Sequence, residues 1–266
     1  MDFTAYFYAA LMGIIEGLTE FLPVSSTGHL ILAGHFLNFQ SVPGNVFEVV
    51  IQFGAILAVC MVYFQRLWKV VVGLPHKREA QLFTRNILLG FLPAAVLGVL
   101  FHDIIKERLF NEVVVAWSLL LGGLFIIAVD KLRLQPKYYE VETMPAWFSL
   151  KVGFFQALAM IPGVSRSGAT ILGAWLFGAD RKAAMEFSFF LAIPTMLGAA
   201  TFDLYKNWDA LKAAEDAAGL MLLGTVTAFI TAAIVVRYAL YFVHQYGFTP
   251  FGWYRIVVGS ALLMIV

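Results

Sequence analysis

The sequence is short of charge and of cysteine. Of 266 residues, 13% are charged and 61% are hydrophobic, whereas a soluble domain carries about 25% charged residues. So little polar surface cannot cover so much apolar surface, and water alone is not the solvent of this chain. A soluble enzyme and a disordered chain are excluded. The one cysteine, Cys60, lies in an apolar run. No intramolecular disulfide is possible, which excludes a disulfide-stapled secreted domain. The net charge is +1 with no basic stripe, so no nucleic-acid partner is expected. No His/Cys spacing matches a zinc site, and no nucleotide-type phosphate loop occurs. The stretch MDFTAYFYAALMG has no Lys or Arg ahead of its apolar residues. It lacks the basic start of a cleaved signal peptide, and the first segment is expected to be retained.

What the chain has instead is long apolar runs. A membrane helix needs about 20 apolar residues. Six stretches come close: Val46 to Phe64, Asn86 to Phe101, Val113 to Val129, Ala184 to Tyr205, Leu220 to Phe242 and Pro250 to Val266. Charged or turn residues bound them, such as Gln65-Arg66, Lys131-Leu132-Arg133 and Lys206-Asn207-Trp208-Asp209. Because a helix satisfies its own backbone in lipid, all six are expected to be helical spans.

Two further apolar stretches, Phe3 to Phe39 and Trp147 to Ala179, are interrupted midway, at Leu22-Pro23-Val24-Ser25-Ser26-Thr27-Gly28 and at Ile161-Pro162-Gly163-Val164-Ser165-Arg166-Ser167-Gly168. The arms after the breaks, Gly28 to Phe39 and Gly168 to Ala179, have 12 residues each. They reach about 18 Å, against a hydrocarbon core of about 30 Å. Such arms cannot cross, so each stretch is expected to be a re-entrant hairpin whose polar turn is buried in protein or lines a wet cavity.

The two hairpins are related by a shift of 140 residues. Gly13 falls on Gly153, Glu16 on Gln156, Ser25 on Ser165, Thr27 on Ser167, Gly28 on Gly168, Ile31 on Ile171 and Leu32 on Leu172. Phe47-Glu48 and Glu186-Phe187 open the next helix in each copy. The chain therefore reads as one all-α membrane domain over residues 1–266. It has two repeats, about 1–133 (hairpin 3–39 plus three spans) and about 146–266 (hairpin 147–179 plus three spans). Three spans is an odd number, so the second copy is expected upside down, as in many transporters. Lys and Arg set the orientation. Arg66, Lys69, Lys77, Arg78, Lys131, Arg133, Lys137, Lys151, Arg181, Lys182 and Arg237 fall on one face. Lys106, Arg108, Lys206 and Lys212 fall on the other, diluted by Asp103, Asp209, Glu215 and Asp216. The first face is expected to be cytoplasmic. Both termini and the first hairpin then start from outside, and the second hairpin enters from inside.

Ionisable residues at membrane depth cost about 2.5–3.5 kcal/mol each on insertion scales and are functional candidates by default. They cluster at the two breaks. Glu16 and Glu20, four apart, share one helical face. They suit a divalent cation or a split into acid and base; two solvated acids at a hairpin end are the alternative. Ser25, Ser26, Thr27 and His29 follow Pro23. Helix capping explains one of the three hydroxyls, and a lone His is more often structural. Arg166, between Ser165 and Ser167, needs an anionic partner. That partner is a phosphate clamped by the guanidinium or an ion pair with Glu16 or Glu20. Ser165, Ser167 and Thr170 add hydroxyls, and the helix N-termini after both breaks attract anions. Together they suit a pyrophosphate better than a carboxylate. Glu48, Gln52 and Glu186 read as interfacial helix starts. Tyr254 and Arg255 read as snorkelling from the cytoplasmic end of the last span.

EGLTEFLPVSSTGH at the first break and PGVSRSGAT at the second resemble the two signatures of undecaprenyl-diphosphate phosphatases of the bacitracin-resistance type. The resemblance extends over nearly the whole chain. It implies hydrolysis of undecaprenyl diphosphate to undecaprenyl phosphate in the bacterial inner membrane, which recycles the lipid carrier of peptidoglycan synthesis and confers bacitracin resistance. It places the acidic motif on Glu16 and Glu20, the histidine on His29, the first-break hydroxyl on Ser26, and phosphate binding on Ser165, Arg166, Ser167 and Thr170. Ser25, Thr27 and Gly168 complete the expected substrate contacts. A divalent cation, Mg²⁺ or Ca²⁺, is implied on Glu16 and Glu20, in a pocket open to the outer face. The nucleophile is left open between Ser26, His29 and water. The expected partners are the prenyl diphosphate lipid and membrane lipids; a homodimer is left open. A transporter or flippase using the same anion site is the competing function. Another lipid-phosphatase superfamily, with Ser-Gly-His and a later Ser-Arg followed by a His-Asp pair, is echoed by Ser26 to His29 and Ser165-Arg166. No His occurs between His102 and His244, and that reading is discounted.

Overall fold

A computed structural model describes residues 3–39, 46–132, 134–207 and 218–265. Arg133, Trp208, Asp209, Lys212, Glu215, Asp216 and Val266, used above, lie outside the described residues. The described chain is helical: α1 (Phe3–Thr19), α2 (Ser26–Leu37), α3 (Val46–Val62), α4 (Phe64–Gly73), α5 (Arg78–Leu109), α6 (Glu112–Asp130), α7 (Ala146–Ala157), α8 (Arg166–Leu176), α9 (Arg181–Lys206), α10 (Ala218–Tyr246) and α11 (Thr249–Leu263). Short 3₁₀ turns occupy Val141–Thr143 and Leu158–Met160. Side chains fix several helix starts. Asn111 caps α6 from Val114 N at 2.9 Å, and Asp180 caps α9 from Ala183 N at 2.7 Å.

Four helices are long and apolar enough to cross a membrane: α5 over Arg78–Phe101, α6, α9 and α10. The chain is thus a multi-pass all-α membrane protein. The expected span at Val46 to Phe64 is sharply bent. α3 meets α4 at 76° across Tyr63, and the pair counts as a fifth span when taken together. The expected sixth span, Pro250 to Val266, needs correction. It forms the 15-residue α11, which reaches about 22 Å and falls short of the hydrocarbon core. The expected span Asn86 to Phe101 is the middle of a longer helix. α5 runs 32 residues straight through Pro93.

Both interrupted stretches turn where expected. α1 and α7 stop at the breaks, and the arms that follow, α2 and α8, have 12 and 11 residues. The turns match in detail. Ser25 (φ 74°) and Ser165 (φ 78°) both hold a left-handed backbone that non-glycine residues rarely adopt. Each hydroxyl then accepts from a glycine N–H three residues on, Gly28 at 3.3 Å and Gly168 at 3.0 Å. The packing scheme repeats as well. α1 packs on α10 and α7 on α5; α3 packs on α10 and α9 on α5; α3 meets α9 and α6 meets α11. Gly13 and Gly153, 140 residues apart, seat the two arms. A Cβ at Gly13 would clash with Gly224 O and Thr227 Oγ1 of α10, and one at Gly153 would sit 2.6 Å from Gly90 O of α5. Helix α9 occupies the centre, where Phe187, Phe189 and Phe190 are buried with Phe148 of α7 and Phe21 of the first turn.

Candidate active site

The two turns meet. Arg166, first residue of α8, donates from Nη2 to Oε1 of Glu20 at 2.7 Å. Oε2 of the same carboxylate accepts a hydrogen bond from the Ser26 hydroxyl at the start of α2. A second link runs from Ser167 Oγ to Leu22 O at 2.7 Å. The hydroxyl, carboxylate and guanidinium thus form one chain across the two hairpins, and all three residues border a cavity of about 720 Å³. Ser25, Thr27 and Ser165 border it too. Helix N-termini at this place direct unbonded N–H groups toward an anion.

Behind Arg166 stands a polar brace. Its Nη1 donates to Ser188 O of α9 at 3.0 Å, and Thr170 Oγ1 lies 2.6 Å from Ser188 Oγ. Arg166 Nε is buried and has no hydrogen-bond partner, so one cationic donor is uncommitted beside the cavity. Ser167, Gly168 and Thr170, expected to touch substrate, are off the cavity wall. Their polar groups are spent on Leu22 O, on Ser165 Oγ, and on Arg166 O together with Ser188. These residues shape the turn and hold the guanidinium.

Glu16 is also off the wall. It is 0% exposed, and neither of its carboxylate oxygens has a hydrogen-bond partner. A buried carboxylate without a donor requires a proton or a cation. Among the described residues no three His, Cys, Asp or Glu side chains group closely enough to hold a metal by themselves. Glu16 and Glu20 therefore fit an ion such as Mg²⁺, which takes one or two protein carboxylates and completes its shell with water and substrate phosphates.

His29 is fully engaged elsewhere. Its Nδ1 lies 2.7 Å from Ser25 O and its Nε2 2.7 Å from Tyr254 Oη, with the two rings stacked 5.6 Å apart and 7° from parallel. A carbonyl only accepts, so Nδ1 carries the proton, and in the neutral ring Nε2 accepts from the Tyr254 hydroxyl. His29 does not border the cavity.

Sequence reasoning misplaced α11. Arg255 does not snorkel; it is 1% exposed. Its guanidinium donates to five backbone carbonyls: Pro23 O at 3.2 Å in the first turn, Gly163 O at 2.8 Å and Val164 O at 2.9 Å in the second, and Ser118 O at 2.9 Å and Leu119 O at 3.4 Å on α6. One side chain pins both turns. Arg255→Met keeps the bulk and strands these carbonyls, at about 1–3 kcal/mol for each left dry. The expected result is a melting temperature in detergent lowered by several degrees and a turnover lowered about tenfold or more. Wild-type melting and wild-type turnover together would remove Arg255 from the scaffold. Glu48 and Gln52, read above as interfacial, both line the cavity. Glu186 does not; it pairs with Arg66 at 2.6 Å, and Arg66 also reaches Glu142 at 3.0 Å.

Comparison with known proteins agrees with this geometry. "Undecaprenyl-diphosphatase 1" of Agrobacterium fabrum is 54% identical over 262 residues, 97% of each chain. "Undecaprenyl-diphosphatase" of Paracoccus denitrificans is 54% identical over 257 residues, 96% of this chain and 95% of its own. "Undecaprenyl-diphosphatase 2" of Paramagnetospirillum magneticum is 50% identical over 258 residues, 97% and 98% of the two chains. A family model described as "Bacitracin resistance protein BacA" matches residues 9–261, both turns included, and this chain therefore belongs to the BacA family.

Proposed function

We propose that this protein is an undecaprenyl-diphosphate phosphatase. It adds water across the phosphoanhydride of undecaprenyl diphosphate, releasing inorganic phosphate and leaving undecaprenyl phosphate. The observation that carries this reading is the Ser26–Glu20–Arg166 chain across the two turns. Nucleophile, base and anion binder share one wall of one cavity. The curated relatives' names supply the substrate.

The geometry supports Ser26 as nucleophile over His29. The Ser26 proton already points at Glu20, whereas both His29 nitrogens are taken. Ser26 Oγ bonds the terminal phosphorus as its proton passes to Glu20. The bond from that phosphorus to the bridging oxygen breaks, and undecaprenyl phosphate leaves. Water then cleaves the phosphoserine, giving inorganic phosphate and restoring the Ser26 hydroxyl. Arg166 and the N–H groups opening α2 and α8 hold the phosphate oxygens and oppose the charge that develops on them. Glu16 and Glu20 would hold a divalent cation, Mg²⁺ or Ca²⁺, which supplies further charge neutralisation at the diphosphate. His29 and Tyr254 orient the start of α2.

The Lys/Arg asymmetry supports a bacterial inner-membrane protein with both termini and the cavity mouth on the periplasmic side. The matching turns and the exchangeable helix pairings support two repeats of inverted topology. No observation favours a transporter over hydrolysis, because a hydroxyl hydrogen-bonded to a carboxylate is cleavage machinery.

Phosphate release from undecaprenyl diphosphate by the purified protein tests the assignment. Chelation with EDTA is expected to bring release close to background, and added Mg²⁺ or Ca²⁺ to restore it. Binding of the lipid without release at any metal concentration would overturn the enzymatic reading. Full activity in EDTA would overturn the role given to Glu16 and Glu20 as metal ligands.

A further inference from the structure

The two turns account for the polar end of the cavity and leave its other end unexplained. Away from Arg166 the wall becomes apolar and its side chains small. Ala95 and Gly98 come from α5, Gly198 and Ala199 from α9. The cavity is open on this side. Val99, on its rim, is 64% exposed, and Gly198 and Ala199 are exposed as well. A second hollow, about 520 Å³, shares Gly198 and Phe202 with the first and continues to exposed Leu197 and Tyr205. Empty space thus runs from the diphosphate site past Gly198 to the outer face of α9, a helix apolar enough to cross a membrane.

No neighbour requires these two glycines. Elsewhere in this protein, helix glycines mark backbone contact. A Cβ at Gly153 would lie 2.6 Å from Gly90 O, and one at Gly123 2.6 Å from Gly252 O. A Cβ at Gly98 would come no nearer than 3.8 Å to any atom, the Met160 Sδ. One at Gly198 would approach only the Phe91 ring, at 3.4 Å, an ordinary contact. Glycine weakens a helix interior. Keeping it twice where packing does not demand it points to something outside the chain that uses the room.

We propose that the opening between α5 and α9 is the passage by which the prenyl chain of the lipid diphosphate leaves the site for the bilayer, with Gly98 and Gly198 setting the width open to its first isoprene units. The inference rests on the hydrolysis proposed above, since the occupant is that substrate's own tail. Headgroup and tail are covalently joined, and the tail resists water as strongly as the headgroup resists lipid. A site that grips the diphosphate at Arg166 therefore needs a continuous apolar exit beside it. This cavity has one, bounded by helix faces and not by loops.

The test is Gly98→Leu and Gly198→Leu, assayed on undecaprenyl, farnesyl and isopentenyl diphosphates. Leucine is the better helix former, and a melting curve in detergent checks that each variant is folded. The expected result is a KM about tenfold higher or more for undecaprenyl and farnesyl diphosphate, with isopentenyl diphosphate changed less than about twofold. Val96→Phe, which adds bulk to α5 off the cavity wall, is expected to alter none of the three. Equal losses on all three substrates, or an unchanged KM for the long chains, would overturn the passage. A wild-type protein that cleaves none of the diphosphates would instead overturn the reaction itself. Independently of any variant, farnesyl diphosphate with a diazirine in its second isoprene unit is expected to label wild-type peptides containing Gly98 or Gly198. Labelling confined to other helices contradicts the proposal.

Discussion

Replacing Arg166 by alanine lowers kcat/KM for undecaprenyl diphosphate by about a thousandfold or more, the scale on which a cationic clamp acts in phosphoryl transfer. Two losses combine. The diphosphate loses a guanidinium whose Nε is uncommitted, and Glu20 loses the partner that fixes its carboxylate at 2.7 Å. Breaking a buried pair by removing one partner costs about 3–5 kcal/mol, so a lower melting temperature accompanies the lost activity. Arg166→Lys separates the two effects. It keeps the charge and loses the fork that reaches Glu20 and Ser188 together, so it recovers stability better than turnover. Near-normal turnover by Arg166→Ala would remove this residue from the mechanism.

The Ser26 hydroxyl carries the second large effect. Ser26→Ala is expected to reduce turnover by about a thousandfold or more, because residues that act as one nucleophile–base unit fail together. For the same reason Ser26→Ala combined with Glu20→Gln falls little below either change alone. Rapid quench with substrate labelled in its terminal phosphate is expected to trap phosphoserine at position 26. His29→Ala slows the reaction but still gives the label at Ser26. A phosphohistidine at His29, or full turnover by Ser26→Ala, would hand the role to His29 or to a water.

Much of this arrangement was legible in the sequence, for one reason. Lipid tolerates few backbone solutions. Apolar runs broken by Pro23-Val24-Ser25 and by Pro162-Gly163 had to be turns, and the charges of Glu20 and Arg166 had to find each other or a ligand. The structure brings them together. What stayed hidden depended on contacts distant in sequence. Arg255 looked like an interfacial cation because it stands near the start of an apolar run. Its burial follows from glycine contacts between α6 and α11, where a Cβ at Gly123 would press on Gly252 O and one at Gly259 would lie 2.8 Å from Ala116 O. Those contacts draw the short α11 against α6 and carry the guanidinium beneath both turns. Likewise, Glu48 and Gln52 carry an ordinary helix-start pattern, and only the packing of α3 exposes them to the cavity. The bend of α3 into α4 and the run of α5 through Pro93 have no signature in hydropathy.

The account depends on both turns gripping one diphosphate. The measurement that tests this most directly is a structure of the protein with a methylene-bridged, uncleavable analogue of undecaprenyl diphosphate. The account predicts both phosphorus atoms between the Ser25–Thr27 end of α2 and Arg166, with the terminal one next to the Ser26 hydroxyl. A diphosphonate held by one turn alone, or bound outside the cavity the two turns share, would contradict it.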